Sequence, residues 1–305
     1  MTDMKFSTVD VPEAAAETQD LLVRLAAGYE PPDEPDPAVD LTDVLLPLRG
    51  GAVPVRIYRS PGRESRPLVL WLHGGGFVGG SVEDLDHPCS HVARKAQVHV
   101  VSLEYRLAPA RPFPAALHDT CDAIGWLHRH GGLFGGDGRM AAAGQSAGGN
   151  LVAAACLMRR DTGRPTVGFQ VLCYPMLDFG HETESRRAFD GVFLSLTGDP
   201  PYERDYLAGL PAGPYAAPLR AGTLAGLPPS LVVGAGRDPL RDDARAYARR
   251  LHDDKVDVTY VEYAHTMHAI LNFCSDLAAG RHLINVIAAH LRDWAKTGPG
   301  GDSPR

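Results

Sequence analysis

The sequence predicts an α/β fold with a mostly parallel central sheet and helices on both of its faces. Two observations predict it: short apolar runs bounded by turn residues recur along the chain, and helical patterns lie between them. Strands that alternate with helices form a parallel sheet, because each helix returns the chain to the start of the next strand. With 305 residues and 44% hydrophobic content, the chain is long enough to bury one substantial core.

The predicted strands fall into two groups. Alternating apolar and polar residues around 44–48 and 53–58 flank a pair of glycines, which indicates a β-hairpin. Further along the chain each apolar run is continuous, as in strands that are buried on both faces. These runs are 68–72, 99–104, 140–144, 167–173, 231–234 and 256–261.

Helices are predicted between these strands and near the start of the chain. An amphipathic segment at about 12–29 precedes the proline-rich stretch 31–37, which cannot continue a helix and is interpreted as a linker. The other helical patterns lie at about 86–96, 115–130, 147–159, 239–253 and 278–294.

The sequence divides into three parts. Residues 1–40 form an amino-terminal segment and linker, and residues 41–296 form the main domain. Within that domain a polar stretch at about 178–214, rich in Phe, Tyr and Pro, is too long for a simple connection and predicts an inserted lid. The last residues, 297–305, read TGPGGDSPR and are expected to be a disordered tail.

Charge and hydropathy exclude several classes of partner. The chain has 37 acidic and 30 basic residues, a formal charge of −7, and provides no basic stripe for a phosphate backbone, so no nucleic acid is expected. No apolar stretch approaches the ~20 residues that span a bilayer, and no signal-like segment opens the chain. We therefore expect a cytoplasmic protein with no membrane partner, and the sequence leaves open whether it is a homodimer.

The cysteines favour the same compartment. They are odd in number, widely spaced and mostly set in apolar runs, which indicates buried thiols rather than disulfides. No CxxC pair or Cys/His cluster suggests a metal site, so neither metal nor cofactor is expected. The five residues are Cys89, Cys121, Cys156, Cys173 and Cys274.

The first catalytic candidate is Ser146, in the pentapeptide Gly-Gln-Ser-Ala-Gly at 144–148. This G-x-S-x-G pattern is weak by itself, because a glycine-rich loop would also explain it. Its surroundings are more specific, since an apolar run enters the motif and a helical pattern leaves it. A strand, a sharp turn and a helix form the elbow that exposes a nucleophilic serine, and a helix amino terminus favours negative charge there.

The second element is His73-Gly-Gly-Gly at the end of the predicted strand 68–72. Glycines let the backbone approach a substrate and turn N–H groups towards the negative oxygen that forms when a carbonyl is attacked. The alternative, a phosphate-binding loop, lacks both the GxGxxG and the GxxxxGK[ST] pattern. We interpret the segment as an oxyanion loop in which His73 orients the backbone rather than acting as a base.

A nucleophilic serine needs a base, and the base needs an acid that orients it. His268 follows the last predicted strand, as a base in the order Ser, acid, His would, but spacing alone does not exclude His265. Asp238 follows the strand 231–234, at the carboxyl edge of the sheet where such sites gather, although an Asp before Pro also starts helices. Asp242 and Asp243 lie inside the following helix and are weaker candidates.

Six motifs in one order closely resemble the hormone-sensitive-lipase-like, HGGG-type carboxylesterase family of α/β-hydrolases. The resemblance implies an α/β-hydrolase fold in which the amino-terminal segment and the 178–214 insertion form a helical cap over the substrate pockets. The motifs are HGGGF at His73, YRLAPA at Tyr105, FPAAL at Phe113, GQSAGGN at Gly144, DPLRDD at Asp238 and the later His268.

The same resemblance implies specific roles for residues of this chain. Ser146, Asp238 and His268 would form the catalytic triad. The backbone amides of the oxyanion hole would come from Gly74, Gly75 and Ala147. The family positions Tyr105, Arg106 and Asp119 are interpreted as structural, and Arg106 is expected to be ion-paired, because an arginine is seldom buried without a partner.

Three residues depart from the family pattern. Gln145 stands where an acid usually precedes the serine, Ala269 where a glycine usually follows the histidine, and His265 where a glycine commonly stands three residues before it. We expect altered hydrogen bonding at the elbow and a narrower, more polar pocket beside the base. These departures concern the choice of substrate more than the reaction.

The sequence therefore predicts a serine carboxylesterase that cleaves short to medium acyl esters in two steps through an acyl-enzyme. Two alternatives stay open at this point. One is a different reaction at the same site, such as amide hydrolysis, deacetylation of a natural product or elimination. The other is a noncatalytic ligand-binding protein of the same fold, against which the presence of all three triad residues counts.

Overall fold

The computed structural model describes residues 4–30, 34–196, 198 and 200–297. Within these ranges nine strands form a single sheet. The strands are β1 (Lys5–Val9), β2 (Asp40–Leu48), β3 (Gly51–Arg59), β4 (Arg66–Leu72), β5 (His99–Leu103), β6 (Gly136–Gln145), β7 (Gln170–Cys173), β8 (Ser230–Arg237) and β9 (Val258–Met267). Their order across the sheet is β1-β9-β8-β7-β6-β4-β5-β3-β2.

Most of this sheet is parallel. Strands β4 to β9 pair in parallel with one another, so their carboxyl ends meet at one edge of the sheet. The predicted hairpin is confirmed as β2 and β3, which pair antiparallel with each other, and β3 pairs antiparallel with β5. The α/β-hydrolase fold predicted from the motifs is therefore confirmed.

Helices cover both faces of the sheet. They are α1 (Ala14–Ala26), α2 (Asp86–Ala96), α3 (Ala115–His130), α4 (Ala147–Asp161), α5 (Glu184–Phe189), α6 (Pro201–Leu207), α7 (Arg241–Asp253) and α8 (Ala278–Lys296). Side chains of α3, α4 and α7 belong to the apolar cluster on one face, and those of α1, α2 and α8 to the cluster on the other. Because strand residues alternate between faces, Leu70 contributes to the first cluster and its neighbour Trp71 to the second.

The amino-terminal strand β1 is the main feature that the sequence did not predict. It joins the sheet by parallel pairing with β9, although most of its residues are exposed. Such an edge strand is held by backbone hydrogen bonds, and its sequence KFSTV carries no continuous apolar run. Helix α1 packs against β9 and α8. The assignment of residues 1–40 to a cap stays a prediction, and Lys5–Val9 belong to the sheet.

Several strand boundaries differ from those predicted, and those of β7 and β9 are two examples. Strand β7 begins at Gln170 rather than at 167, because its pairing with β8 begins there. Strand β9 continues to Met267, past the predicted end at 261, because after an irregularity Arg237 of β8 pairs with Met267. The longer strand carries the chain directly to His268.

The segment 178–214, which stays a predicted lid, contains the two short helices α5 and α6, and its residues 197 and 199 lie outside the described residues. So do residues 31–33 of the predicted linker and 298–305 of the predicted tail. All five cysteines are buried thiols. No helix in the described part of the chain has the length and apolar character that a membrane span requires.

Candidate active site

Ser146 occupies a sharp turn between β6 and α4. Its backbone has φ +55° and ψ −119°, a conformation that non-glycine residues seldom adopt and that costs about 1–3 kcal/mol. After this turn α4 starts in close contact with the end of β4. A Cβ at Gly148 would lie 2.2 Å from the carbonyl oxygen of Leu72, so this position accepts only glycine without a backbone shift. The predicted strand, turn and helix are therefore present.

The structure brings Ser146, His268 and Asp238 into one hydrogen-bonded chain. The hydroxyl of Ser146 lies 2.9 Å from His268 Nε2, and the Nδ1–H of His268 donates to Asp238 Oδ2 at 2.7 Å. All three side chains are buried, and Asp238 has no exposed surface. A hydrogen bond between an imidazole and a carboxylate fixes the tautomer, which leaves Nε2 free to accept the serine proton.

The sheet topology explains why His268 meets both Ser146, which is 122 positions away along the chain, and Asp238, which is 30 positions away. Ser146 directly follows β6, Asp238 directly follows β8 and His268 directly follows β9. These strands are parallel and separated only by β7, so their carboxyl ends lie side by side. The three side chains therefore converge at one edge of the sheet, as predicted for this fold.

Asp238 has two roles at once, one for each carboxylate oxygen. Oδ2 accepts the hydrogen bond of His268, and Oδ1 accepts the backbone N–H of Leu240 at 2.9 Å. The second bond supports the turn that leads into α7. The helix-start interpretation of this residue and its place beside the base are therefore compatible.

The rival candidates lie elsewhere. The side chain of His265 is 45% exposed and lies 3.7 Å from Asp10. Asp243 is buried and lies 3.2 Å from Arg186 of α5, and Asp242 accepts the amide of Ser185 at 2.8 Å. These two carboxylates connect α7 to α5 and are not among the residues that line the cavity of Ser146.

The glycine loop lies directly beside the serine. A Cβ placed on Gly74 would be 3.4 Å from the Cβ of Ser146, so the two backbones are in close contact. Gly75 has φ +110°, and a Cβ there would lie 2.1 Å from the carbonyl oxygen of Gly79. Ala147 is the first residue of α4, so its N–H is among the amides that have no carbonyl partner within the helix. Gly74 and Gly75 line the same cavity as Ser146, and Ala147 follows the serine directly, while their role as an oxyanion hole stays a prediction.

The side chains of His73 and Tyr105 contact the backbone of this loop. The two rings stack with centroids 4.1 Å apart, and the hydroxyl of Tyr105 donates to the carbonyl oxygen of His73 at 2.9 Å. His73 Nδ1 donates to the carbonyl oxygen of Gly74 at 2.7 Å. Burial lowers the pKa of His73, so the ring is neutral at neutral pH. This geometry agrees with an orienting role.

The predicted ion pair of Arg106 is confirmed. Its Nη2 lies 2.7 Å from one carboxylate oxygen of the fully buried Asp119, and its Nε lies 2.8 Å from the other. Such a two-point contact is the favoured geometry between guanidinium and carboxylate. It fastens the segment after β5, which carries Tyr105, to α3.

A cavity of about 330 Å³ opens above the serine. Several residues that line it were not predicted from the sequence, because they come from segments far apart along the chain. Phe193 and Tyr202 belong to the aromatic-rich insertion, a signal that was available, whereas no local pattern indicated Asp84 or Asn272. The lining residues are Gly74, Gly75, Gly76, Gly80, Asp84, Gln145, Ser146, Tyr174, Phe193, Leu194, Tyr202, His268, Ala269, Asn272 and Phe273.

Two of the residues that depart from the family pattern line this cavity. Gln145 is buried, and its Nε2 donates to Asn272 Oδ1 at 2.7 Å. Ala269 has φ +66°, the left-handed conformation that glycine adopts more readily. The third, His265, is exposed and does not line it.

A slightly larger cavity, about 380 Å³, lies between α3, α4 and the β2–β3 turn. Its one thiol, Cys121, is buried, and burial raises the pKa of this thiol to about 12. A thiol of this kind is unreactive at neutral pH. The smaller cavity, which contains the serine and the histidine, is therefore the candidate active site.

Comparison with known proteins agrees with this geometry. A family model described as the alpha/beta hydrolase fold matches residues 69–272. The carboxylic ester hydrolase LipN of Mycobacterium tuberculosis is 39% identical over 267 residues, which cover 83% of this chain and 71% of LipN.

Two solved structures are also similar. The hyperthermophilic esterase of the archaeon Pyrobaculum calidifontis is 40% identical with a TM-score of 0.81, covering 92% of this chain and 91% of the esterase. An α/β-hydrolase enzyme from the metagenome of Lake Arreo, Spain, is 31% identical with a TM-score of 0.86, covering 93% and 99%. Because the family match spans more than half of the sequence and these proteins are similar over most of it, the chain belongs to the hormone-sensitive-lipase-like carboxylesterase family of α/β-hydrolases.

Proposed function

We propose that the protein hydrolyses small carboxylic esters by two-step acyl transfer, with Ser146 as nucleophile, His268 as general base and Asp238 as the acid that orients it. The observation that carries the proposal is the hydrogen-bonded chain of these three residues beside the glycine loop. The similar proteins named above as ester hydrolases support the same reaction class.

In the first step Ser146 attacks the ester carbonyl while its proton passes to His268 Nε2. The carbonyl oxygen becomes an anion, which the amides of Gly74, Gly75 and Ala147 stabilise; each such donor contributes roughly 3 kcal/mol. The tetrahedral intermediate collapses, and the imidazolium gives its proton to the leaving alcohol. The carboxylate of Asp238 stabilises the imidazolium and remains ionised.

In the second step a water molecule attacks the acyl-enzyme. His268 accepts the water proton, the same amides stabilise the second oxyanion, and the proton returns to the oxygen of Ser146 as the acid leaves. Every proton that the mechanism moves passes through His268, and the described residues supply each role without a further group. The buried position of the triad keeps these charges out of bulk water.

The size of the cavity supports short to medium acyl esters. A volume of about 330 Å³ lies at the lower end of the range of small-molecule sites, roughly 300–1,000 Å³. The cavity is closed on one side by the insertion, through Phe193, Leu194 and Tyr202. We expect turnover to fall for acyl chains that are too long to fit this volume.

Covalent labelling tests the proposal most directly. A phosphonate or organophosphate that reacts with activated serines should label Ser146, as located by peptide mass spectrometry, and the Ser146→Ala and His268→Ala variants should remain unlabelled. A panel of para-nitrophenyl esters should be hydrolysed, and the matching aryl amides should react much more slowly. Absence of labelling together with absence of ester turnover would favour a noncatalytic binding protein.

We also infer that the protein works in the cytoplasm on small molecules rather than on nucleic acid. Five buried cysteine thiols and a formal charge of −7 support this inference. Fractionation of the native cells, with detection of the protein in the soluble cytoplasmic fraction or outside it, tests it.

A further inference from the structure

Among the described residues that line the active-site cavity, Asp84 is the one carboxylate. These described lining residues include no lysine or arginine, and the other ionisable group near neutral pH among them is His268. The charge that a bound substrate meets is therefore set mainly by Asp84. Every other polar group of the wall is an amide, a hydroxyl or a backbone group.

The charge of Asp84 is not neutralised by a neighbour. Its Oδ2 accepts the backbone N–H of Ser81 at 3.0 Å, and in the part of the chain that the structure describes it has no ion pair. The adjacent acid, Glu83, differs in this respect because it lies 3.0 Å from Arg56. The hydrogen bond from Ser81 fixes the position of the Asp84 side chain without cancelling its charge.

Two further acidic side chains, Glu83 and Glu104, lie near Asp84. Burial raises the pKa of the nearby Glu104 carboxyl, and the charges of Glu83 and Asp84 raise it further. His73, which lies behind the same loop, is neutral because burial lowers its pKa. His73 therefore adds no positive charge that would offset the negative charge of Asp84.

The rest of the wall presents aromatic rings. Tyr174, Phe193, Tyr202 and Phe273 line the same cavity, and the rings of Phe193 and Phe273 meet edge to face at 5.6 Å. A ring face attracts an organic cation through its quadrupole, and a carboxylate attracts the same cation by charge. This combination is the chemistry that recognises an alkylammonium group.

We propose that Asp84 makes this cavity selective for esters that carry an ammonium group over isosteric neutral esters, and makes anionic esters poor substrates. The proposal rests on the esterase function proposed above and names the substrate class of that same site. It assigns Asp84 to substrate selection and gives it no part in bond making or breaking.

Matched substrates that differ only in charge test the proposal. On the alcohol side the pair is butyrylcholine and its carbon isostere, in which a carbon replaces the ammonium nitrogen. On the acyl side the pair is the para-nitrophenyl ester of trimethylammoniobutanoic acid and its carbon isostere. The measured quantity is the ratio of kcat/KM for the cationic ester to kcat/KM for its neutral isostere.

The variants are Asp84→Asn and, as the control, Glu83→Gln. Asparagine keeps an oxygen that can accept the Ser81 amide, so the substitution removes charge and preserves the turn. We expect Asp84→Asn to lower the cationic-to-neutral ratio by roughly three- to tenfold in at least one substrate pair. Glu83→Gln should leave the ratio unchanged, because that exposed acid is paired with Arg56 and does not line the cavity.

A second measurement does not depend on the folding of a variant. In the wild-type enzyme the cationic-to-neutral ratio should fall between about 20 mM and about 500 mM sodium chloride, because Asp84 is exposed and salt screens an exposed charge. A ratio that Asp84→Asn leaves unchanged in both pairs would overturn the proposal, whatever its dependence on salt, and so would an equal loss in Glu83→Gln. Failure of the esterase function itself would look different, since then the neutral esters would not be hydrolysed either.

Discussion

Gln145 and Asn272 join the nucleophile strand to the loop that carries the base. The side-chain amide of Gln145, at the end of β6, donates to Asn272 Oδ1 at 2.7 Å. Asn272 lies four residues after His268, in a turn in which the backbone N–H of Asn272 donates to the carbonyl oxygen of Ala269. The family resemblance places an acid at position 145. Here two neutral amides make the connection, so the link carries no charge beside the triad.

Removal of this link should destabilise the protein. Gln145→Met keeps the volume and removes the hydrogen bond, which leaves Oδ1 of Asn272 without its donor and should lower the free energy of unfolding by about 1–3 kcal/mol. Urea unfolding measures this. In the double variant with Asn272→Leu the loss should be smaller than the sum of the single losses, and strictly additive losses would show that the two side chains are not coupled.

Ala269→Gly should stabilise the chain. Ala269 has φ +66°, where an alanine Cβ is strained, and glycine relieves this strain at the cost of a more flexible unfolded chain. We expect a net gain of about 0.5–1 kcal/mol in the free energy of unfolding. The control is Ala264→Gly within β9, which should be destabilising; a loss of stability in both variants would contradict the prediction.

Gly148→Ala should disrupt the elbow. The new Cβ would lie 2.2 Å from the carbonyl oxygen of Leu72 and 2.4 Å from that of His73, so α4 must move away from β4. We expect a loss of about 3 kcal/mol in stability, with loss of Ser146 labelling in whatever protein folds. Gly132→Ala is the control, because no atom lies within 4 Å of its Cβ position. Normal stability and labelling of Gly148→Ala would refute the close contact.

His181, at the start of the insertion, should make stability depend on pH. Its interaction with Asp243, 3.4 Å away, raises its pKa above the ordinary value, although partial burial opposes this and Arg186 lies nearby. A histidine whose pKa is raised in the folded state contributes its full stabilisation of the fold below its unfolded-state pKa of about 6.5. This stabilisation is lost as the pH rises through the folded-state pKa.

The measurement compares the wild type with His181→Asn by urea unfolding at about pH 5.5 and about pH 8.5. The advantage of the wild type should be larger at the lower pH. His128→Asn provides a control of opposite sign, because burial lowers the pKa of His128. An advantage that is constant with pH, or that grows as pH rises, would contradict the assignment for His181.

The parts of the fold that depend on local backbone constraints could be predicted from the sequence. The continuous apolar runs marked the buried strands, since a strand covered on both faces has no polar side. The glycines marked the elbow and the loop, and the structure shows the reason at Gly148 and Gly75, where a Cβ would collide with backbone atoms. Strand β1 was not predicted, because backbone pairing with β9 holds it in the sheet and its sequence has no apolar pattern.

By itself the sequence determined that a serine elbow, a glycine loop and a late histidine stand in the order of this family, because each is a short segment with its own backbone requirement. Only the tertiary structure decided between His268 and His265. Both lie near the end of β9, and only the folded chain places His268 beside the serine and His265 beside Asp10.

The cavity likewise belongs to the tertiary structure. Asp84, Phe193 and Asn272 are more than 75 residues apart along the chain and meet only because loops at the carboxyl edge of a parallel sheet converge. Side chains that recognise substrate need no local backbone conformation, so they leave no pattern in the sequence. The chemistry of the serine could therefore be predicted from motifs, whereas the walls that select its substrate could be identified only in the folded chain.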